Sequence, residues 1–428
     1  MASARTVIAE VRYMRILIVA FSCAPNLGSE SKVAWNWVKS LAASSHELIV
    51  LTPPRDREPI DAAAAQSAAL RRISFRYLGS FKREKFAHKW RIVLQLYYVY
   101  WQWCARRAAL RIAREKPLDV VHAITLGGVR FPAFLGGIAQ QFVLGPIGGG
   151  QTAPIRLSDA MGPRVALIER LRRAGNWVNR LDPFMRATFK AADAILVNSP
   201  ESTMAIPARY RSKCIVTRQV GVDECEIATN PIARDVAERR PFRILYAGRY
   251  LHWKGMEFGI RAFAKLLQSC PDATLTLTGG GPAERRWKTL AAELGVVDRI
   301  TWLGWGKHED LPRVYRDHHV LLFPTLREPA GMAVAEAFAA GLPVICFERG
   351  GPALVDDSVG RVVDVSAANY DEAVDRLAAA LRSVAELDAD AYRQLSASAL
   401  GRAHEIVWNK LVDGVYGPLN APAALSNS

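Results

Sequence analysis

Short runs of aliphatic and β-branched residues alternate along the chain with longer stretches whose apolar residues recur at helical spacing. The first half predicts strands over 15–20, 47–52, 73–78, 119–124, 142–145, 195–198 and 214–220. The second half predicts them over 243–247, 274–278, 300–303, 320–324, 344–347 and 361–364. Most are apolar throughout, as strands covered on both faces are, and amphipathic helical patterns separate them. This rhythm predicts an α/β fold of two open parallel sheets, each a Rossmann-like domain. Gly221-Val222-Asp223, the charged stretch from Arg234 to Arg240, and Pro241 read as the linker. A first domain over 1–223, a second over 224–400 and a closing segment over 401–428 are expected. Open α/β sheets bind ligands outside the carboxyl ends of their strands, so two of them predict a cleft.

The 428 residues are 50% hydrophobic and 23% charged, too apolar for a disordered chain. No apolar run approaches the length of about 18 residues that a membrane span needs. Collagen, coiled-coil and integral membrane classes are thereby excluded. Lys and Arg number 56 against 41 Asp and Glu, a formal charge of +15, which predicts attraction to phosphates, anionic lipid or nucleic acid. Six scattered cysteines with no C-x-x-C fit reduced thiols in a cytosolic protein and offer no zinc site. The first thirteen residues read as a loose extension, with Met14 as an alternative start, and Ala421 to Ser428 as a disordered tail. Ile16 to Phe21, preceded by Arg12 and Arg15, mimics a signal peptide but lacks a small-x-small cleavage site. A buried strand feeding a turn fits it better.

Two long basic helical segments belong to the first half. Between Phe81 and Glu115, Lys82, Arg83, Lys85, Lys89, Arg91, Arg106 and Arg107 surround the aromatic centre Tyr97-Tyr98-Val99-Tyr100-Trp101-Gln102-Trp103. Between Arg164 and Lys190 stand Arg170, Arg172, Arg173, Arg180 and Arg186. Two readings are open: helices lying on an anionic membrane, or core aromatics backed by a solvated charged face. Nucleic acid is not expected, because no groove-reading or stacking motif accompanies the charge.

The chemistry concentrates in the second half. Gly248-Arg249 and then Lys254-Gly255 follow the strand Ile244-Leu245-Tyr246-Ala247 and lead into a helix. Glycine lets the backbone turn beneath a ligand, and two cations beside a helix N-terminus form an anion site fit for a diphosphate. Farther on, Phe323 to Met332 carries Glu328 in a loop off a strand end, and the apolar helical run Ala333 to Ala340 carries Glu336. Buried carboxylates need hydrogen-bond donors, and sugar and ribose hydroxyls are such donors; local salt bridges are the plainer alternative. Gly279-Gly280-Gly281-Pro282 has Glu284 where a dinucleotide fingerprint has its third glycine, so a loop against the nucleotide base or ribose fits it better. Leu303-Gly304-Trp305-Gly306 either flanks the base or packs in the core, and Asp356-Asp357 reads as turn chemistry rather than a metal motif.

Taken together, Glu328-x7-Glu336, Gly248-Arg249, Lys254-Gly255 and Gly341-Leu342-Pro343-Val344-Ile345 resemble the large retaining glycosyltransferase family four, whose fold is the two-domain GT-B architecture. The resemblance is dense over 240–365 and thinner over 14–223. In the first half Pro25-Asn26-Leu27-Gly28-Ser29-Glu30, Asp119-Val120-Val121-His122 and Gly145-Pro146-Ile147-Gly148-Gly149-Gly150 match it. It implies that Gly28 and Ser29 meet a donor phosphate and that Glu30 faces the acceptor, one glycine standing where many members have a pair. It places His122 beside the donor sugar, a satisfied core histidine being the alternative, and Gly149 and Gly150 along the acceptor pocket.

The same resemblance implies that Arg249 and Lys254 neutralise the departing diphosphate, while Glu328 accepts from sugar hydroxyls and Glu336 from ribose. Gly248, Gly279, Gly280, Met332 and Ala333 complete the donor site. A retaining transfer without metal or cofactor is implied, from a UDP- or GDP-linked sugar, by same-face attack or by double displacement. The helix from Ala403 to Leu411, with Trp408 as a packing anchor and Tyr416 beyond it, would cross back onto the first domain. The expected activity is transfer to a lipid-linked or polysaccharide acceptor in envelope or exopolysaccharide synthesis, at the cytoplasmic face of the plasma membrane. A catalytically silent sugar-nucleotide-binding scaffold on the same fold is the competing reading, against which the intact set of Arg249, Lys254, Glu328 and Glu336 stands. A pyridoxal-phosphate phosphorylase lacks its lysine motif.

Overall fold

A computed structural model describes residues 13–25, 29–79, 91–124, 126–233, 241–328, 330–348 and 354–420. Gly28, the loose extension before Tyr13, the linker residues Arg234 to Arg240 and the tail from Ala421 lie outside the described residues. Seven strands form the first sheet: β1 (Arg15–Val19), β2 (Glu47–Thr52), β3 (Ser74–Tyr77), β4 (Val120–Ala123), β5 (Gln141–Ile147), β6 (Ala194–Val197) and β7 (Cys214–Val216). Six form the second: β8 (Arg243–Ala247), β9 (Thr274–Thr278), β10 (Ile300–Gly304), β11 (Val320–Phe323), β12 (Val344–Phe347) and β13 (Gly360–Val363).

Every paired neighbour is parallel, in the orders β3-β2-β1-β4-β5-β6-β7 and β10-β9-β8-β11-β12-β13. The two sheets thus repeat one winding, and in each the strand order reverses beside the first strand. β1 and β4, like β8 and β11, send their following loops to opposite sides and leave a crevice at their carboxyl ends. The central strands β1, β4, β11 and β12 are buried along their whole length, and all their residues except Arg15 and His122 are apolar. β7 stops at Val216, four residues short of its predicted end. It is an edge strand with Ile215 and Val216 exposed, and the chain from Thr217 runs instead toward the linker.

Seven helices shape the cleft or join the two domains: α1 (Ser29–Ala42), α2 (Arg91–Glu115), α3 (Pro163–Val178), α4 (Met256–Leu266), α5 (Met332–Ala339), α6 (Ala389–Glu405) and α7 (Trp408–Asn420). α6 belongs to the second domain, where Tyr392 donates to the His319 carbonyl at 2.9 Å and Ser396 to that of Gly341 at 2.6 Å. The chain crosses at Val407, which bridges to Val222, and α7 then lies on α1 of the first domain. Residues 401–405 therefore continue a second-domain helix, and the return begins only at Ile406.

His122 anchors that return. Its Nε2 lies 2.7 Å from the Gly145 carbonyl, which can only accept, so this nitrogen carries the proton. Its Nδ1 then accepts from the Tyr416 hydroxyl at 2.7 Å, while Trp37 packs edge-on against the ring. The ring is fully buried, and burial lowers its pKa to about 4. His122 thus stays neutral when folded but takes a proton when unfolded. Stability falls as the pH drops from about 6.5 toward 4, by an amount on the order of 3 kcal/mol for this group. Tyr416→Phe should cost about 1–3 kcal/mol by stranding Nδ1, and urea unfolding at a series of pH values measures both effects.

Candidate functional site

The loops after β8 and β11 meet at the crevice. Gly248 leaves β8 with a φ of 146°, and its amide donates to the Thr278 carbonyl at 3.0 Å. Tyr246 donates from its hydroxyl to the Arg249 carbonyl at 2.9 Å, and the Tyr250 amide to the Gly280 carbonyl at 2.9 Å. These bonds fix the turn on which Arg249 stands. Arg249 itself is exposed, without an ion-pair partner among the described residues. A short turn over His252–Lys254 follows, and Gly255 at φ 69° opens α4. A Cβ on Gly255 would sit 1.9 Å from the Pro324 carbonyl oxygen, so only glycine lets the two loops touch.

That contact puts Lys254 against Glu328. The two form a largely buried ion pair, with the Lys254 ammonium 5.0 Å from the centre of the Phe323 ring. Glu328 also accepts from the amides of Ala330 and Gly331, both at 3.3 Å, just before α5 begins. Gly248, Arg249, Lys254, Glu328, Met332 and Ala333 line one cavity of about 310 Å³. Its opposite wall belongs to the first domain, through Glu30 and Val33 of α1 together with Gly127, Gln219 and Val220. The cavity walls desolvate the Glu30 carboxyl and raise its pKa, against the opposing pull of Arg55. Arg249 and Lys254 bring two cations to this cavity beside the amino end of α5, and Glu30 and Glu328 bring two carboxyls.

Glu336 does not join the group. It stands one turn farther along α5, accepts from the Tyr315 hydroxyl at 2.9 Å, and lines a smaller cavity with Lys32, Val222, Leu311 and Pro312. His122 is likewise not available to a sugar: both ring nitrogens are occupied and it has no exposed surface. The core-histidine alternative describes it. Gly149 and Gly150 serve packing, their carbonyls taking hydrogen bonds from Ser202 and Asn176, and a Cβ on Gly150 would lie 2.4 Å from that of Ala205.

Gly279 and Gly280 lie beneath the site rather than along it. A Cβ on Gly279 would meet the Gly248 carbonyl oxygen at 2.0 Å, and one on Gly280 the exposed Trp305 ring nitrogen at 2.8 Å. Ser29 opens α1, and Asp356 closes a turn by accepting from the Ser358 amide at 2.9 Å.

Some site residues carry no signal in the sequence. On the far side of Glu328 a second cavity of about 290 Å³ has Gln151, Asn198, Arg218 and Gln219 on its first-domain wall. Phe347, Leu354 and Val355 form the apolar wall facing them. Asn198 donates to Gln219 at 3.0 Å, and Ser202 to Asn198 at 2.7 Å. Asn198 reads as the last residue of a strand and Gln219 as strand interior, whereas β6 ends at Val197 and β7 at Val216, which leaves both in loops at the cleft.

Residues 232–395 match the profile of the family described as glycosyl transferases group 1. An uncharacterized glycosyltransferase of Methanocaldococcus jannaschii, MJ1607, is 35% identical over 25% of this chain and 27% of its own length. A D-inositol 3-phosphate glycosyltransferase of Corynebacterium diphtheriae is 29% identical over 40% of this chain and 44% of its own. The chain thus spans less than half the length of these relatives. Across 96% of this chain and the whole of the other, the fold follows that of Anabaena Alr3699/HepE, solved with UDP, at a TM-score of 0.61 and 17% identity. At that identity the likeness speaks for the fold alone, the two-domain GT-B arrangement of glycosyltransferases.

Gly255→Ala should destabilise the protein by more than about 2 kcal/mol, because it adds an unfavourable φ to a clash with backbone. Thermal unfolding measures the loss.

Proposed function

We propose that the protein is a retaining glycosyltransferase of the family-four type, moving a sugar from a nucleotide-linked donor to a lipid-linked or glycan acceptor. The observation that carries this reading is the ion pair of Lys254 and Glu328 at the amino end of α5, with Arg249 exposed beside it. Charge grows on a departing diphosphate as the glycosidic bond breaks. Arg249, Lys254 and the first amides of α5 are placed to stabilise it, which is where such a barrier is lowered. Glu328 stands beside the cations to take sugar hydroxyls, and Glu336 in the adjoining cavity is left for the ribose.

Gln151, Asn198 and Gln219, across Glu328 from the anion site, suit the hydroxyls of an acceptor. Among the described residues no side chain stands out as a base for a protein nucleophile. Same-face attack, with a leaving phosphate oxygen taking the acceptor proton, therefore fits best. The match over 232–395 and the UDP bound in a protein of like fold support a nucleotide-sugar donor. The test is a screen of UDP- and GDP-sugars for transfer. Arg249→Ala and Glu328→Gln should each stay folded and lower turnover about a hundredfold, the scale of losing a transition-state contact. Unchanged turnover in both would overturn the assignment.

The lipid part of the reading rests on α3. Arg172, Arg173 and Asn176 turn toward the first domain and donate to the carbonyls of Gln151, Ala153 and Gly150, while Arg164 and Arg170 are exposed. Leu167, Ile168, Leu171 and Val178 face out, continued by Trp177, Leu181 and Phe184, with Leu171 64% exposed. Eight basic and three acidic residues lie between 155 and 190. An outward apolar ridge set among arginines is what an anionic bilayer surface binds.

α2 contributes less. Tyr98 and Trp101 pack on Phe21 in the core, while Leu96, Tyr100 and Trp103 are exposed, and residues 81–90 lie outside the described residues. No described helix is long and apolar enough to cross a membrane. Sedimentation with vesicles containing anionic lipid should recover the protein, less so at high salt, and the double variant Leu167→Glu, Leu171→Glu should stay in the supernatant.

A further inference from the structure

We infer that Glu169 is a positioning residue that locks the first domain onto the two loops carrying Lys254 and Glu328; this rests on the transferase reading of the cleft. Glu169 lies on the inward face of α3 and is only 2% exposed. Its Oε1 is 3.2 Å from Nε of Arg327 and 3.6 Å from Nε2 of His252, and its Oε2 accepts from the Ala153 amide at 3.4 Å. Glu169 and Ala153 belong to the first domain, Arg327 and His252 to the second. Burial pushes the Glu169 carboxyl up, but His252 and Arg327 outweigh it and the net shift is downward.

The partners are not arbitrary surface charges. Arg327 is the residue before Glu328, and His252 stands two before Lys254. The Arg327 guanidinium lies 4.2 Å from the centre of the Trp253 ring, and the Leu326 amide donates to the Trp253 carbonyl at 2.9 Å. The Arg327 and His252 loops are therefore one unit, which Glu169 holds through its hydrogen bond to Arg327, with His252 Nε2 beside it at 3.6 Å. α3 holds that carboxylate firmly, because its arginines and Asn176 fasten it to the segment 150–153. If the domains part, Glu169 keeps the Ala153 amide and the nearby charge of Arg172, whereas Arg327 loses its hydrogen-bonded counter-ion and keeps only the neighbouring charge of Glu328. The closed cleft is thus favoured, and the Lys254–Glu328 pair is held at the distance from the first-domain wall that catalysis uses.

A residue of this kind acts on turnover more than on nucleotide affinity, because the anion site is built by the second domain. Glu169→Gln, Arg327→Gln and their double variant test it by kinetics with whichever nucleotide sugar the screen finds active, by calorimetry with UDP and GDP, and by small-angle X-ray scattering. Each single variant should lose about tenfold or more in kcat, with KM for the donor changed by less than about threefold. The radius of gyration should rise, and the double variant should be no worse than the poorer single one, as for two groups acting as a unit.

Should Glu169→Gln not fold, Arg327→Lys, which keeps the charge but loses the planar stack on Trp253, must show the same kcat loss. Wild-type kcat and scattering in the single variants, or losses that multiply in the double one, overturn the inference. If no donor supports transfer by the parent protein, the transferase reading fails, whereas the scattering arm still decides whether Glu169 closes the domains.

Discussion

A lysine and a glutamate neutralise each other inside a cleft between two domains, and the architecture of the second domain is arranged so that they can. Bringing Lys254 and Glu328 out of water is costly unless the geometry is close and the remaining lone pairs are satisfied. Closeness comes from Gly255, whose missing side chain admits the Pro324 carbonyl. Satisfaction comes from the amides of Ala330 and Gly331, donors freed by the start of α5. The pair can exist only where two βα loops leave adjacent strands in opposite directions. That place is the reversal between β8 and β11, so topology and electrostatics select the same few residues.

Beside the apolar packing of α7 on α1, polar contacts outside the site join the first domain to this centre. At one end α7 returns from the second domain and sets Tyr416 on His122 inside the first sheet. At the other, Glu169 reaches from α3 to Arg327 and His252. Along the linker Asp223 pairs with Lys39, and Lys32 lies 3.6 Å from Glu226, both lysines on α1. Charged contacts of this sort are directional and few, which suits an interface that must hold a defined spacing yet exchange ligands.

The two-sheet winding was legible because parallel strands covered on both sides must be apolar throughout, and all thirteen predicted segments are strands. Gly248, Arg249, Lys254 and Glu328 stood out for a related reason: they follow such strands in loops at the carboxyl edge, and the structure brings all four to the lining of one cavity. His122 misled the reading because a polar residue inside an apolar strand looks functional, yet its needs are met by a carbonyl and a tyrosine 294 positions away. Gly150 shows that glycine also serves close packing, since an added Cβ would lie 2.4 Å from that of Ala205. Glu169 was invisible in a segment whose arginines suggested a solvated or lipid-facing surface. Its partners are 83 and 158 residues distant, and nothing local distinguishes it from a surface glutamate.

Glu336 separates from the other charges for a geometric reason that also constrains the ligand. Ala333, at the anion cavity, and Glu336, in the neighbouring one, are three residues apart on α5, a rise of about 4.5 Å along the axis. The Lys254 cavity and the Glu336 cavity share no lining residue, so on the proposed reading a ligand that meets both has to extend from one into the other. A ligand that does must be elongated, anionic in the middle where α5 begins and carrying hydroxyls at the end that reaches Glu336. On its other side it must offer hydroxyls to Glu328, where the amide-lined cavity opens. A diphosphate flanked by ribose and a hexose has that order of groups, whereas a nucleoside monophosphate or an isolated sugar would leave one of the three positions unfilled.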